Sequence, residues 1–499
     1  MAETSQHLLS GFAVALMPAN LLYCLIGVVV GNVIGVLPGL GPVSGIALLI
    51  PLVHGMPPVS AVILLAGIYY GAMYGGSITS ILLRVPGESS SVMTAIDGYE
   101  LARQGRAGPA LGICAIVSWV AGTLSVILLS FLAPRLAGLA LSFGPPEYFS
   151  LMVAGLSAVA ALTAGDALKG TISAIIGLML ATVGSDVLSG SARFHFGLIY
   201  LLDGIDFLVV AIGLFAITEV LASLVDGEST GRMVPFGSWK NLLPRADDLR
   251  RSFWPCMRAT VVGFFVGVLP GAGATIASFL SYATEKRISK HPEKFGKGAI
   301  EGVAGPEAAN NAATGGSMVP MLALGIPGSN VTAVMLGAFI MLGITPGPML
   351  FQENPSFVWG LVASMYVGNL MLLMLNIPLV GIFVQVLRLP FPVLGVLVLE
   401  LSLIGVYAIS NNFFDLHLMF LFGVVGYLMK RLDFPTPPMI LALVLGKIFE
   451  VSFRRSLIIS EGDPSIFVTR PISLTLLSIA VLVFLYPLVL DAFHRARSR

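Results

Sequence analysis

Residues 310–330 read NNAATGGSMVPMLALGIPGSN. The stretch holds glycine, proline and asparagine but no charge, and apolar sequence follows it. Backbone inside a membrane has no water to pair with, so irregular chain at that depth is tolerated only where it lines a cavity or is covered by protein. A helix break that builds a binding site is therefore expected here. A related stretch lies earlier, residues 74–87, YGGSITSILLRVPG. Both copies read GGS, a short apolar run, then PG, and the spacing from the first Gly to the Pro differs by one residue (Gly75 to Pro86, Gly315 to Pro327).

Composition sets the setting for these breaks. The chain has 499 residues, mean hydropathy +0.94 and only 11% charged residues, against about 25% in soluble domains. An all-α polytopic membrane protein is expected. A span needs about 20 apolar residues, so the length holds roughly ten to twelve helices, some of them re-entrant or broken. The net charge of +1 points to no nucleic acid or other polyanion. Cys24, Cys114 and Cys256 are far apart and read as small buried residues, not as a disulfide or metal framework. No phosphate-binding GxxxxGK[ST] and no HExxH occurs, so neither ATP hydrolysis nor zinc chemistry is written in the chain. The first residues, MAETSQHLLSG, lack the basic segment of a cleavable signal and are taken as the mature start.

Taken in order, the first apolar run (12–37) ends at Pro38-Gly39-Leu40-Gly41-Pro42, where a helix should break. Residues 43–53 are too short to span and suit a re-entrant half-helix. The opening recurs: residues 31–41, GNVIGVLPGLG, match residues 263–273, GFFVGVLPGAG, at seven of eleven positions. Pro270, Gly271 and Gly273 thereby pair with Pro38, Gly39 and Gly41. Two motifs recurring in the same order indicate a duplication. The division expected is a first membrane half (1–225), a cytoplasmic connection (226–258), a second repeat core (259–350), and further helices ending in a basic tail (351–499).

Loop charges orient the halves, because cytoplasmic loops are enriched in Lys and Arg. Residues 51–60 contain neither, whereas 284–298, after the second PG-loop, contain five. Residues 88–109 contain Arg103 and Arg106, whereas 343–357 contain none. Both contrasts fit a second half inserted upside down, with the site at the repeat interface.

At a helix break, free N–H groups attract anions and free carbonyls attract cations. The expected substrate site is Pro38, Gly39, Gly41, Gly75, Gly76, Ser77, Pro270, Gly271, Gly273, Asn310, Asn311, Thr314, Gly315, Gly316 and Ser317. The expected cation site is Thr79, Pro86, Gly87, Pro327, Gly328, Ser329 and Asn330, with Na⁺ as the ion because no lone carboxylate dominates the breaks. The bland reading of the polar members is that they cap helices. Glu88 is a candidate coupling carboxylate, although Ser329 stands at the matching place. Glu400, inside VLVLELSLIG, is the most membrane-embedded carboxylate, either functional or ordinarily paired. Arg84 reads as a snorkelling helix end, and Glu301 and Glu307 are placed on the cytoplasmic helix beside Lys290–Lys297.

At these motifs the chain resembles the large membrane subunit of the tripartite tricarboxylate transporters. The residues that carry the resemblance are GVLPGLGP (35–42), YYGAMYGGSITSILLRVPG (69–87), DGYELARQG (97–105), GVLPGAGA (267–274), GPEAANNAATGGSMVPMLALGIPGS (305–329) and GITPGPML (343–350). The resemblance implies a secondary transporter of the bacterial inner membrane that imports small organic carboxylates such as citrate on a cation gradient. It also implies two partners, a small four-span membrane subunit and a periplasmic substrate-binding protein. A channel for small anions is the alternative, since helix breaks also build selectivity filters. A membrane enzyme is disfavoured by the lack of any nucleophile–base or metal constellation.

Overall fold

The computed structural model describes residues 2–37, 40–163, 167–226, 234, 242–271, 273–386 and 391–497. Among them the β structure is one two-residue ladder, Gly184–Ser185 with Ala192–Arg193; the architecture is all-α. The first apolar run is two helices, not one: α1 (Ala2–Ala15) and α2 (Pro18–Val36). Pro18 lacks the N–H that would continue α1 and suits the first turn of α2. After the first PG-loop come α3 (Gly41–Leu49), extended by a 3₁₀ turn (Ile50–Val53), and α4 (Pro58–Leu83).

Contacts along α2 and α4 give their direction. Ser60 Oγ donates to Asn20 Oδ1 at 2.7 Å near the two starts. A Cβ on Gly27, Gly31 or Gly35 would stand 2.1–2.5 Å from the carbonyl oxygens of Leu64, Ile68 and Ala72 in turn. Contacts that advance together mean parallel helices, so the chain between them returns to its starting side. Residues 41–53 make that return, which is the re-entrant half-helix expected there.

Next follow a 3₁₀ turn (Ser89–Ser91), α5 (Val92–Leu101) and α6 (Ala107–Ala140), then α7 (Pro145–Thr163) and α8 (Ala167–Ala181). The last span of this half is α9 (Phe207–Ala211) and α10 (Thr218–Asp226), joined by a π-helical segment (Ile212–Ile217).

The second copy is α11 (Ala246–Val268), α12 (Gly273–Ile288), α13 (Glu301–Leu324) and α14 (Asn330–Met341). α11 begins inside the stretch assigned by charge to a connection. Its polar first turns are held by ion pairs from Arg106 to Asp248 (2.5 Å) and from Arg251 to Glu301 (2.8 Å). Gly263 and Gly267 meet Ala309 and Ala313 as Gly31 and Gly35 meet Ile68 and Ala72. α11 and α13 are therefore parallel, and α12 is the second re-entrant return.

The two copies are inverted. Tyr69 and Ser77 advance along α4, while their hydrogen-bond partners Ser317 (3.1 Å) and Glu307 (2.6 Å) recede along α13. Equivalent helices thus run antiparallel. The basic segments also meet: Gln104 Nε2 donates to Lys297 O at 2.8 Å, and Asp97 accepts from the N–H groups of Gly296, Gly298 and Ala299 at 2.8–2.9 Å.

The GGS triplets are not breaks. α4 and α13 run through both, and the chain breaks only at the PG turns. A continuous helix satisfies this backbone within the segment itself, without water, and the small residues serve approach between helices. A Cβ on Gly75 would stand 2.3 Å from Asn32 O, and one on Gly316 2.2 Å from Phe264 O. Gly75 is thus equivalent to Gly316, and Gly76 to Ser317. The triplets are one residue out of register, which accounts for the spacing difference in the sequence. α13 is buried on every side from Gly302 to Ala323 and forms the axis of the molecule. Glu307 sits in that buried part and not beside Lys290–Lys297 as the sequence suggested; Glu301 stands at the helix start.

The chain closes with α15 (Leu350–Glu353), α16 (Pro355–Val386), α17 (Phe391–Ser410), α18 (Phe413–Arg431), α19 (Pro437–Ile459), α20 (Ile466–Thr469) and α21 (Pro471–Arg497). Among the described residues six helical stretches are long and apolar enough to cross a membrane, and five shorter apolar helices accompany them. The protein is a multi-pass membrane protein.

Candidate functional site

Both PG turns have the same build. α4 ends on Arg84 (φ 60°, ψ 20°) and α13 on Gly325 (φ 72°, ψ 21°), each in the left-handed region that terminates helices. The glycine of each turn is pressed onto backbone. A Cβ on Gly87 would stand 2.3 Å from Gly35 O and 2.5 Å from Gly76 Cα; one on Gly328 would stand 2.5 Å from Gly267 O and 2.7 Å from Ser317 Cα. The next residue caps the following helix: Glu88 (φ −149°, ψ 166°) with Ser91, and Ser329 (φ −149°, ψ 168°) with Thr332. Each pair forms a reciprocal capping box. Gly41 (φ +52°) and Gly273 (φ +56°) start α3 and α12 beside these caps, 3.8 Å from Glu88 Cβ and 3.6 Å from Ser329 Cβ for a Cβ built on each glycine.

A cavity of about 740 Å³ opens where these starts meet. Gly41, Ser89, Gly273 and Asn330 bring four helix N-termini to it, two from each inverted copy, and Thr436 and Pro437 bring the start of α19. The first-turn N–H groups of a helix have no intrahelical partner and carry a partial positive charge. Tyr69 and Met73 of α4 form one wall, and Leu214, Phe215 and Thr218 form another. At the edge Lys430 pairs with Glu219 at 2.9 Å. Glu88 is the other carboxylate lining the cavity, and no basic side chain pairs with it among the described residues.

Two hydrogen bonds cross between the copies at equivalent places. Asn310 Nδ2 on α13 reaches Glu88 Oε1 at 3.3 Å, and the Tyr69 hydroxyl on α4 meets Ser329 Oγ at 3.2 Å. The cap of each copy is thus held by the long buried helix of the other.

The expected site residues divide accordingly. Gly41, Pro86, Gly87, Gly271, Gly273, Ser329 and Asn330 line the cavity. Pro38 and Gly39 lie outside the described residues. Gly75, Gly76, Gly315 and Gly316 lie within helices at packing contacts, and Pro270, Pro327 and Gly328 lie in the turns behind the lining. Ser77 Oγ donates to Glu307, and Thr79 Oγ1 closes the open end of α2 by donating to Val36 O at 2.6 Å. Thr314 and Ser317 bond back to their own helix. Asn311 faces α6, donating to Ser118 Oγ at 2.8 Å and to Glu307 O at 3.0 Å, so its donors are not turned to the cavity. Asn310 and Asn311 are mid-helix, so neither is an N-cap. Arg84 stacks on Tyr99 at 5.7 Å instead of entering the cavity.

The sequence reading did not select Tyr69 or the α19 start. Tyr69 is the counterpart of Asn310, a relation visible only once the register of α4 on α13 is known. Pro435-Thr436-Pro437 carried an ordinary helix-start signal that nothing tied to the breaks.

The description "Tripartite tricarboxylate transporter TctA family" matches residues 21–441. An uncharacterized 52.8 kDa protein of Agrobacterium vitis, from the 3′ region of ttuC′ in TAR-I, is 46% identical over 481 residues, covering 96% of this chain and 95% of its own. A second A. vitis protein, from the corresponding TAR-II region, is 46% identical over 227 residues, covering 46% of this chain and 94% of its own. No solved structure matches the chain. With most of its length matched, and with both PG-loops and both GGS elements inside the matched part, the chain belongs to the tripartite tricarboxylate transporter TctA family.

Proposed function

We propose that the chain is the large membrane subunit of a cation-coupled importer of small organic tri- or dicarboxylates. It would act in the bacterial inner membrane, beside a small membrane subunit, and take substrate from a periplasmic binding protein. The observation that carries the reading is the convergence of helix N-termini from both inverted copies on one cavity. Oriented N–H groups offset the desolvation of a multiply charged anion. The one lysine among the described lining residues, Lys430, is paired with Glu219, so no uncompensated cation traps the anion there. A volume of about 740 Å³ suits a small ligand. Site access from alternate sides is the usual use of inverted repeats. The test is uptake of labelled citrate, and of a panel of di- and tricarboxylates, into liposomes holding the assembled transporter. A carrier gives saturable uptake that needs an inward Na⁺ gradient. Flux linear in concentration and indifferent to the gradient would establish the channel reading instead.

Orientation is tested separately. Cysteine at Gly55 is expected to react with an impermeant maleimide from the periplasm, and cysteine at Lys290 only after permeabilisation. Both positions are exposed, whereas the native cysteines are buried and give little background. Labelling of both from one side would overturn the proposed orientation.

A further inference from the structure

We infer that Glu88 and Asn310 form the seat of the coupling cation, a small monovalent metal ion of the Na⁺ class. The inference rests on the transport reading above and adds the residues. Three observations carry it. Glu88 lines the cavity without a basic partner among the described residues. Asn310 is fully buried, and its Oδ1 has no hydrogen-bond partner, although its Nδ2 reaches Glu88. At the equivalent crossing the second copy's cap is Ser329 in place of Glu88, and the first copy's α4 supplies Tyr69 in place of Asn310, a neutral pair whose hydroxyls satisfy each other.

A buried amide oxygen without a donor costs free energy unless something fills it. A cation is what a bare amide oxygen and an uncompensated carboxylate both accept. A proton fits less well. Glu88 Oε1 accepts from Ser90 Oγ and Asn310 Nδ2, and Oε2 from Ser90 N–H; in this arrangement a proton on Glu88 would leave the Asn310 oxygen bare, whereas a metal cation takes both oxygens. With the seat empty, Glu88 repels an incoming carboxylate from the helix N-termini around it. With the ion bound, the repulsion is gone and the N–H groups of α12 and α14 attract the substrate. Cation and substrate then bind in that order, and this order is the coupling.

The experiment measures ²²Na⁺ binding to the purified full-length protein and labelled citrate uptake by the assembled transporter. Wild type is expected to bind ²²Na⁺ saturably. Glu88→Gln and Asn310→Ala should weaken that binding at least tenfold, with normal elution on size-exclusion showing that they fold. Glu88→Gln removes the charge that the ion neutralises, so its citrate binding should no longer depend on Na⁺. Glu88→Asp keeps the charge and should keep Na⁺ dependence, which serves if the Gln variant does not fold. Wild-type Na⁺ affinity in folded variants would overturn the inference while leaving the transport reading intact. Uptake driven by a pH gradient in sodium-free medium would also overturn it, in favour of a proton. Absence of saturable carboxylate uptake by wild type would instead defeat the transport reading.

Discussion

Gly87→Leu and Gly328→Leu are expected to leave little folded protein. At each site even the first added carbon stands 2.3–2.5 Å from a backbone carbonyl oxygen of the preceding parallel helix. Backbone cannot swing aside as a flexible side chain does. Overpacking a core costs about 1–3 kcal/mol where neighbours can adjust, and here the neighbours are the crossing points of α2 with α4 and of α11 with α13. The expected loss is therefore at the upper end of that range or beyond it, read as a large fall in melting temperature and in monodisperse yield. Gly138→Leu is the control: nothing lies within 4 Å of a Cβ there, and the variant should behave as wild type. Gly271→Leu probes the turn lining the cavity. Its φ of +79° and the 2.6 Å approach of a Cβ to Val159 Cα predict loss of uptake, with the protein still inserted. Normal uptake would mean that this PG-loop is only a connector.

The second large effect is expected at Asn310. Asn310→Asp keeps the size of the side chain but sets a second carboxylate beside Glu88 and removes the donor that Glu88 accepts. Like charges at this separation raise the cost of admitting an anionic substrate. The apparent affinity for the carboxylate should fall at least tenfold, about 1.4 kcal/mol. Asn310→Ala removes the donor without adding charge and should cost less. A cap would give the reverse order, because Asp caps as well as Asn does, but Asn310 lies in the interior of α13. Asn311→Ala separates packing from binding. Asn311 ties α13 to α6 through Ser118, so its loss should lower the melting temperature and leave the apparent affinity near wild type. The measurement is the concentration dependence of uptake beside a thermal shift for each variant. Normal uptake by Asn310→Asp would place the ion and substrate elsewhere.

Glu307 shows how far residue type alone can mislead. Its neighbours in sequence are small, and the lysines lie shortly before it, which on sequence alone places it on the cytoplasmic helix beside Lys290–Lys297. In the fold both carboxylate oxygens are buried and taken by hydroxyls, Ser77 at 2.6 Å and Thr94 at 2.5 Å, contributed by α4 and α5 of the other copy. Nothing local to residues 301–310 encodes those partners. The GGS triplets mislead in the opposite direction. Glycine pairs weaken a helix in water, but the same pairs inside a membrane let two helices touch, and the absence of water keeps both helices intact.

The sequence by itself determined that the protein is helical and membrane-embedded, that it holds a duplication, that one half opposes the other, and that chain breaks follow Pro-Gly. Those conclusions rest on hydropathy, on recurrence and on loop charge, all of which act residue by residue. Only the tertiary structure decided which residues meet at the breaks. Glu88 with Asn310, and Tyr69 with Ser329, are partners across an antiparallel interface between copies, and their pairing depends on the register of α4 against α13. That register is held by hydrogen bonds between side chains far apart in the sequence, Tyr69 with Ser317 and Ser77 with Glu307, a three-dimensional fit that no spacing along the chain records. The site is therefore a property of the crossing, and the motif in the sequence marks only where each helix must stop for the crossing to form.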